Sequence, residues 1–143
     1  MDVLLVEDEP LVGCMLATEL EHDARLSVAH AITAEEALGA LTRPGGCGAA
    51  LPSVLVTDLA LGSGMDGLAL ADEVRRLWPE VGVVFITGHQ PKVRGRAFGP
   101  RERVLLKPFA LGALTHAVRD LMVHAARQAA SVADPGQRRS AAD

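Results

Sequence analysis

The chain has 143 residues, 49% of them hydrophobic and 22% charged, with a formal net charge of −4, a composition that suits a globular protein and excludes disordered and membrane classes. Its length suits one domain, burying about two-thirds of the unfolded chain's surface on folding. No apolar run approaches the roughly 18 residues of a membrane span and the acidic start is unlike a signal peptide, so a cytoplasmic protein with no membrane partner is expected.

Val3 to Val6, the apolar run of "VLLVEDEP", reads as a first strand, and Leu11, Val12, Met15, Leu16 and Leu20 trace one apolar face of a first helix beginning near Pro10. A second strand is expected over Leu26 to Ala29, ending in His30. Thr33 and Glu36 have the spacing of a capping box, opening a second helix with Ala37, Leu38 and Leu41 inward. Val54 to Thr57 form a third strand, and a third helix carrying Leu70, Ala71, Val74 and Leu77 ends at Trp78 before Pro79. Val81 to Thr87 and Val104 to Leu106 are the last two strands. Between them Gly88, Pro91, Gly95, Gly99 and Pro100 make a fourth helix short or irregular. The final helix bears a stripe of Leu111, Leu114, Val118, Leu121, Met122 and Ala125. Residues 1–126 are thus expected to be the domain, and 127–143 a polar, flexible tail.

Charge is uneven along this order. Residues 1–40 hold nine acids against Arg25, whereas residues 92–103 hold Lys92, Arg94, Arg96, Arg101 and Arg103 against Glu102. The basic run reads as a solvated surface; without interleaved aromatics it does not suggest stacking on single-stranded nucleic acid. Cys14 and Cys47 form no C-x-x-C pair and read as reduced thiols.

Strands alternating with helices imply right-handed crossovers and an α/β fold: a doubly wound parallel sheet of five strands in the flavodoxin-like order 2-1-3-4-5. Such sheets place their sites beyond the carboxyl ends of the strands. At those ends stand Glu7 and Asp8 after strand 1, Asp58 after strand 3, Thr87 closing strand 4 and Lys107 after strand 5. Three carboxylates on one rim oppose one another's ionisation unless a cation intervenes. A hard divalent ion suits them: Mg²⁺ takes one or two carboxylates, keeps several waters and accepts phosphate oxygens. Lysine supplies a point charge and threonine a hydrogen bond for phosphoryl oxygens.

The segments "LLVEDEP", "VLVTDLALGSGMDG", "VVFITGH" and "LLKPF" together resemble the response-regulator receiver domain of two-component signalling, over roughly residues 1–126. The resemblance implies Asp58 as phosphoacceptor, Thr87 and Lys107 as its catalytic partners, and Mg²⁺ or Mn²⁺ held by Glu7, Asp8, Asp58 and the Ala60 main-chain carbonyl. It also implies a cis bond between Lys107 and Pro108, and a role for Ala60 and His89 in phosphoryl lifetime. The expected partners are a sensor histidine kinase or a histidine phosphotransfer protein and a downstream protein of unknown identity. With no DNA-binding or catalytic domain after residue 126, direct DNA binding is not expected. The chain reads as a switch with self-catalysed chemistry rather than a turnover enzyme. The alternatives are a receiver that binds protein without phosphorylation and a phosphate sink.

Three departures stand out. Gly62 occupies a position where many receivers have proline, and Gly67 lies nine residues after Asp58 instead of eight. The stretch from Thr87 to Lys107 is short, and position 104 is valine where many receivers carry the aromatic residue that moves on activation. Output is therefore expected to act through residues 88–103. Rival classes fit less well. A flavin carrier would need aromatic shielding, yet the chain has no tyrosine and one tryptophan. A phosphatase of the acyl-phosphate type would have an aspartate where Ala60 stands, and no G-x-x-x-x-G-K-[ST] loop is present.

Overall fold

The computed structural model describes residues 1–42, 51–62, 64–88 and 97–133. In chain order the elements are β1 (Val3–Val6), α1 (Pro10–Ala24), β2 (Val28–Ala31), α2 (Ala34–Thr42), β3 (Val54–Asp58), α3 (Gly67–Leu77), β4 (Gly82–Thr87), β5 (Glu102–Leu106) and α4 (Leu111–Ala133). The strands form one sheet, ordered β2-β1-β3-β4-β5, with every pairing parallel. This is the expected flavodoxin-like order.

The central strands are apolar on both faces because helices cover both. Leu4, Val6, Leu55, Val83 and Phe85 pack with Ala37, Leu70, Ala71 and Val74 on one side. Val3, Leu5, Val56, Val84 and Ile86 pack with Leu16, Leu20, Leu114, Val118 and Leu121 on the other. Alternate residues of each strand thus serve alternate cores, and a register slip by one would exchange them. Register fixes which strand-end side chains meet.

Local chemistry sets the helix limits. Pro10 occupies the first turn of α1, where its missing N–H costs nothing. Arg25 ends α1 in the left-handed region at φ 54. The chain then turns so that Ser27 O accepts from Asp2 and Val3 N–H, while Asp2 Oδ2 accepts from Ser27 N–H at 2.8 Å. Those bonds start β2 at Val28, two residues later than the apolar run suggested, and place His30 inside the strand. The capping box is realised in Glu36 N–H donating to Thr33 Oγ1 at 3.0 Å, although Glu36 Oε2 reaches Ile32 N–H instead of Thr33. Asp66 caps α3 by accepting from Ala69 N–H at 2.8 Å.

Two expectations are corrected. Leu11 and Met15 do not lie in the core: they are 87% and 57% exposed, while Leu16 and Leu20 are buried. The last helix continues to Ala133, so residues 127–133 are helical rather than tail. No helix separates β4 from β5 among the described residues; His89 and the rest of 89–96, half of the 88–103 segment, fall outside them, as do residues 134–143. No helix of the described residues is long and apolar enough to cross a membrane.

Candidate functional site

Because β3 lies between β1 and β4, its last residue, Asp58, faces the ends of both, and β5 brings Lys107 alongside. Asp58 pairs in register with Ile86, one residue before Thr87, and Lys107 N–H donates to Thr87 O at 2.8 Å. The rim therefore collects Asp58, Thr87 and Lys107 at adjacent strand ends. The Lys107–Pro108 bond that follows is cis.

Asp58 is held by both carboxylate oxygens. Lys107 Nζ donates to Oδ2 at 2.7 Å, and Ala60 N–H donates to Oδ1 at 2.9 Å. Asp58 is 6% exposed, whereas the Lys107 side chain is 41% exposed, so the pair is partly wetted from the lysine side. Burial works against the Lys107 charge, but the hydrogen bond to Asp58 and the nearby charges of Asp58, Glu7 and Glu9 outweigh it and raise the ammonium above the ordinary lysine range.

Glu7 is 3% exposed. Burial raises its carboxyl to about 7; the Glu9 N–H bond opposes this, the Asp58 charge and a hydrogen bond with Asp8 add to it, and the Lys107 charge draws it back. Glu7 Oε1 accepts from Glu9 N–H at 3.2 Å. Asp8 does not cap α1, whose first turn has no side-chain cap; its Oδ2 accepts from Gly62 N–H at 3.1 Å, across 54 residues of sequence. Thr87 is buried at the end of β4.

The three carboxylates thus share one rim, yet each is drawn to a different donor: Glu9 N–H, Gly62 N–H and the Lys107 ammonium. Among the described residues no three acidic, histidine or cysteine groups stand close enough to form a ready cation cage. The donor set still fits Mg²⁺, which takes one or two carboxylates and completes its shell with water. Burial first, and the Asp58 charge after it, work against ionisation of Glu7, so a cation at this rim would relieve both. At Ala60 the observed contact is the amide rather than the carbonyl. A cavity of about 290 Å³ opens beside Asp8, walled by Ala60, Gly62, Gly64 and Asp66.

Several contributors have no chemical motif of their own. Glu35, from the start of α2, accepts from Met65 N–H at 2.9 Å and so ties the loop after Asp58 back to the helix that precedes β3. Gly64 sits at φ +91, and a Cβ there would meet Glu35 Oε1 at 2.6 Å. His30 Nε2 lies 2.9 Å from Glu7 O. None of these three residues shows a spacing signal; the one trace is Gly13 inside an otherwise ordinary helix, and it bears on His30.

The sequence pattern described as response regulator receiver domain matches residues 3–119. The nitrogen assimilation regulatory protein NtrX of Azorhizobium caulinodans is 40% identical over 89 residues, 62% of this chain and 18% of its own length. The chain therefore spans less than a fifth of that relative. A response regulator receiver protein from Sinorhizobium medicae superposes with a TM-score of 0.74 at 26% identity, covering 86% of this chain and 94% of that one. The response regulator TrrA of Thermotoga maritima, solved in complex with Mg²⁺–BeF, is alike in fold at TM-score 0.69 and 22% identity, covering 83% and 96%. With its five-stranded parallel order, its strand-end site and a family match over most of its length, the chain belongs to the response regulator receiver domains of two-component systems.

Proposed function

We propose that the protein accepts a phosphoryl group on Asp58 from a phosphohistidine and signals through protein contacts. The observation that carries this reading is the double hold on Asp58: Lys107 on Oδ2 and Ala60 N–H on Oδ1 aim a nearly buried carboxylate at the open rim. In the transfer, an Asp58 oxygen forms the new O–P bond as the N–P bond to the donor imidazole breaks, and the imidazole departs with the electron pair. Lys107 Nζ can leave Oδ2 for a phosphoryl oxygen, and the Thr87 hydroxyl can donate to another, so both neutralise charge that grows as the group transfers. Glu7 and Asp8, with Asp58, would hold Mg²⁺, whose contribution is to screen the carboxylates and the incoming phosphoryl oxygens.

A sensor histidine kinase or phosphotransfer protein is the expected donor. Leu11 and Met15 present exposed apolar surface on α1, and a groove of about 300 Å³ between Met15 and Phe109 runs to Lys107. A partner seated there would reach Asp58 without crossing the sheet. The test is mass spectrometry after incubation with acetyl phosphate and Mg²⁺. Wild type should gain one phosphoryl group and Asp58→Asn none; full modification of Asp58→Asn would assign the chemistry elsewhere.

A further inference from the structure

We infer that His30 is a positioning residue for the cation-binding turn, acting through the Glu7 main-chain carbonyl; this rests on the reading of Glu7 and Asp8 as Mg²⁺ ligands. Glu7 stands where β1 leaves the sheet. Its N–H makes the last bond to β2, donating to Ala31 O at 3.1 Å, and β2 ends at that residue. The Glu7 carbonyl therefore lies beyond the ladder, on a residue only 3% exposed, where a main-chain acceptor needs a donor. His30 Nε2 supplies it at 2.9 Å. A carbonyl has no proton to give, so the ring must carry its hydrogen on Nε2.

A second observation, on a different element, points to the same ring. A Cβ on Gly13 would lie 2.1 Å from His30 Cε1 and 2.2 Å from Nε2, so the imidazole occupies the space a side chain of α1 would fill. Glycine within a helix costs roughly 0.5–1 kcal/mol relative to alanine. Gly13 N–H also donates to Glu9 O at 2.9 Å, closing the first helical turn directly after the acidic residues. The turn from Glu7 to Glu9 is thus fastened on both sides: by the imidazole under its first carbonyl and by α1 at its end. Asp8 sits between those two fixings, with Oδ2 across from Gly62.

Groups that orient metal ligands from behind commonly change affinity by about 10–100-fold when removed. Since His30 acts through main chain rather than on a ligand atom, the lower end of that range is expected. Mg²⁺ binding to the full chain, without phosphodonor, should be measured by isothermal titration calorimetry alongside thermal melting in chelator. His30→Phe keeps the ring's bulk and loses the donor; its Mg²⁺ Kd should rise about tenfold. His30→Gln restores an N–H near the Nε2 position and should bind close to wild type. A merely structural role would lower melting temperature without separating the two Mg²⁺ affinities. Unchanged affinity in His30→Phe, or equal loss in Phe and Gln, would overturn the inference. If His30→Phe does not fold, Gly13→Ala decides, because its Cβ displaces the ring: weaker Mg²⁺ binding supports the inference and wild-type binding overturns it. Absence of Mg²⁺ binding by wild type itself would instead overturn the metal reading of the site.

Discussion

Gly67→Ala should destabilise the protein, although alanine is the better helix former. Gly67 is the first residue of α3, and its N–H donates to Leu59 O at 3.3 Å. A Cβ at this position would stand 2.2 Å from Asp58 O and 3.0 Å from Leu59 Cα, both main-chain atoms. Close carbon–oxygen contacts begin near about 3.3 Å, so α3 and the end of β3 would have to separate by about 1 Å. Overpacking of that kind costs about 1–3 kcal/mol, against a helix-propensity gain of at most about 1 kcal/mol. The net loss should be about 1–2 kcal/mol, or roughly 3–7 °C in melting temperature for a domain of this size. Gly39→Ala is the matched control, since a Cβ at this exposed helical position meets nothing within 4 Å. It should gain roughly 0.5–1 kcal/mol. Differential scanning calorimetry of both variants reads the opposite signs directly. The displacement also moves Asp58 itself, and misplacement by about 1 Å can cost up to about 100-fold in rate, so Gly67→Ala should slow phosphorylation by acetyl phosphate while Gly39→Ala leaves it unchanged. A Gly67→Ala protein that melts at or above wild type would refute the close approach of α3 to Asp58.

Three further outcomes are expected. Mg²⁺ should raise the melting temperature of wild type, and the rise should shrink in Asp8→Ala; an equal rise in both would remove Asp8 from the cation site. Arg75→Met should cost about 3 kcal/mol in urea unfolding, because Arg75 pairs with a Glu102 side chain that is 1% exposed and its loss removes positive charge beside a buried carboxylate. A loss below about 0.5 kcal/mol, the scale of an ordinary surface substitution, would show that the pair behaves as an exposed one. Lys107→Met should slow acetyl phosphate labelling by about 100-fold while Asp58 remains modifiable, since it removes transition-state charge stabilisation and not the nucleophile; wild-type labelling rates would exclude Lys107 from the chemistry.

Much of this was legible in the sequence because it depended on periodicity and on strand ends. Alternation of β-branched runs with helical segments dictated a parallel sheet, and the 2-1-3-4-5 order then put Asp58, Thr87 and Lys107 on one rim. Thr33, Glu36 and Pro79 marked helix limits because capping and the missing proline N–H are local chemistry. What the sequence could not settle were choices made between distant segments. Leu11 and Met15 carry the same apolar signal as Leu16 and Leu20, but a helix lying on a sheet buries only the stripe that faces it, and the packing of α1 left the first two outside. Asp8 has the composition of a helix cap, yet the loop after β3 offers it the Gly62 amide instead. His30 looked like a polar strand end; the register of β2, set by the Asp2 and Ser27 bonds, carried it inside the strand, and the missing Cβ of Gly13 let its ring reach the Glu7 carbonyl. Residue types and their period determine which elements form, whereas the partner of each buried polar group depends on which segments folding brings within about 3 Å of it.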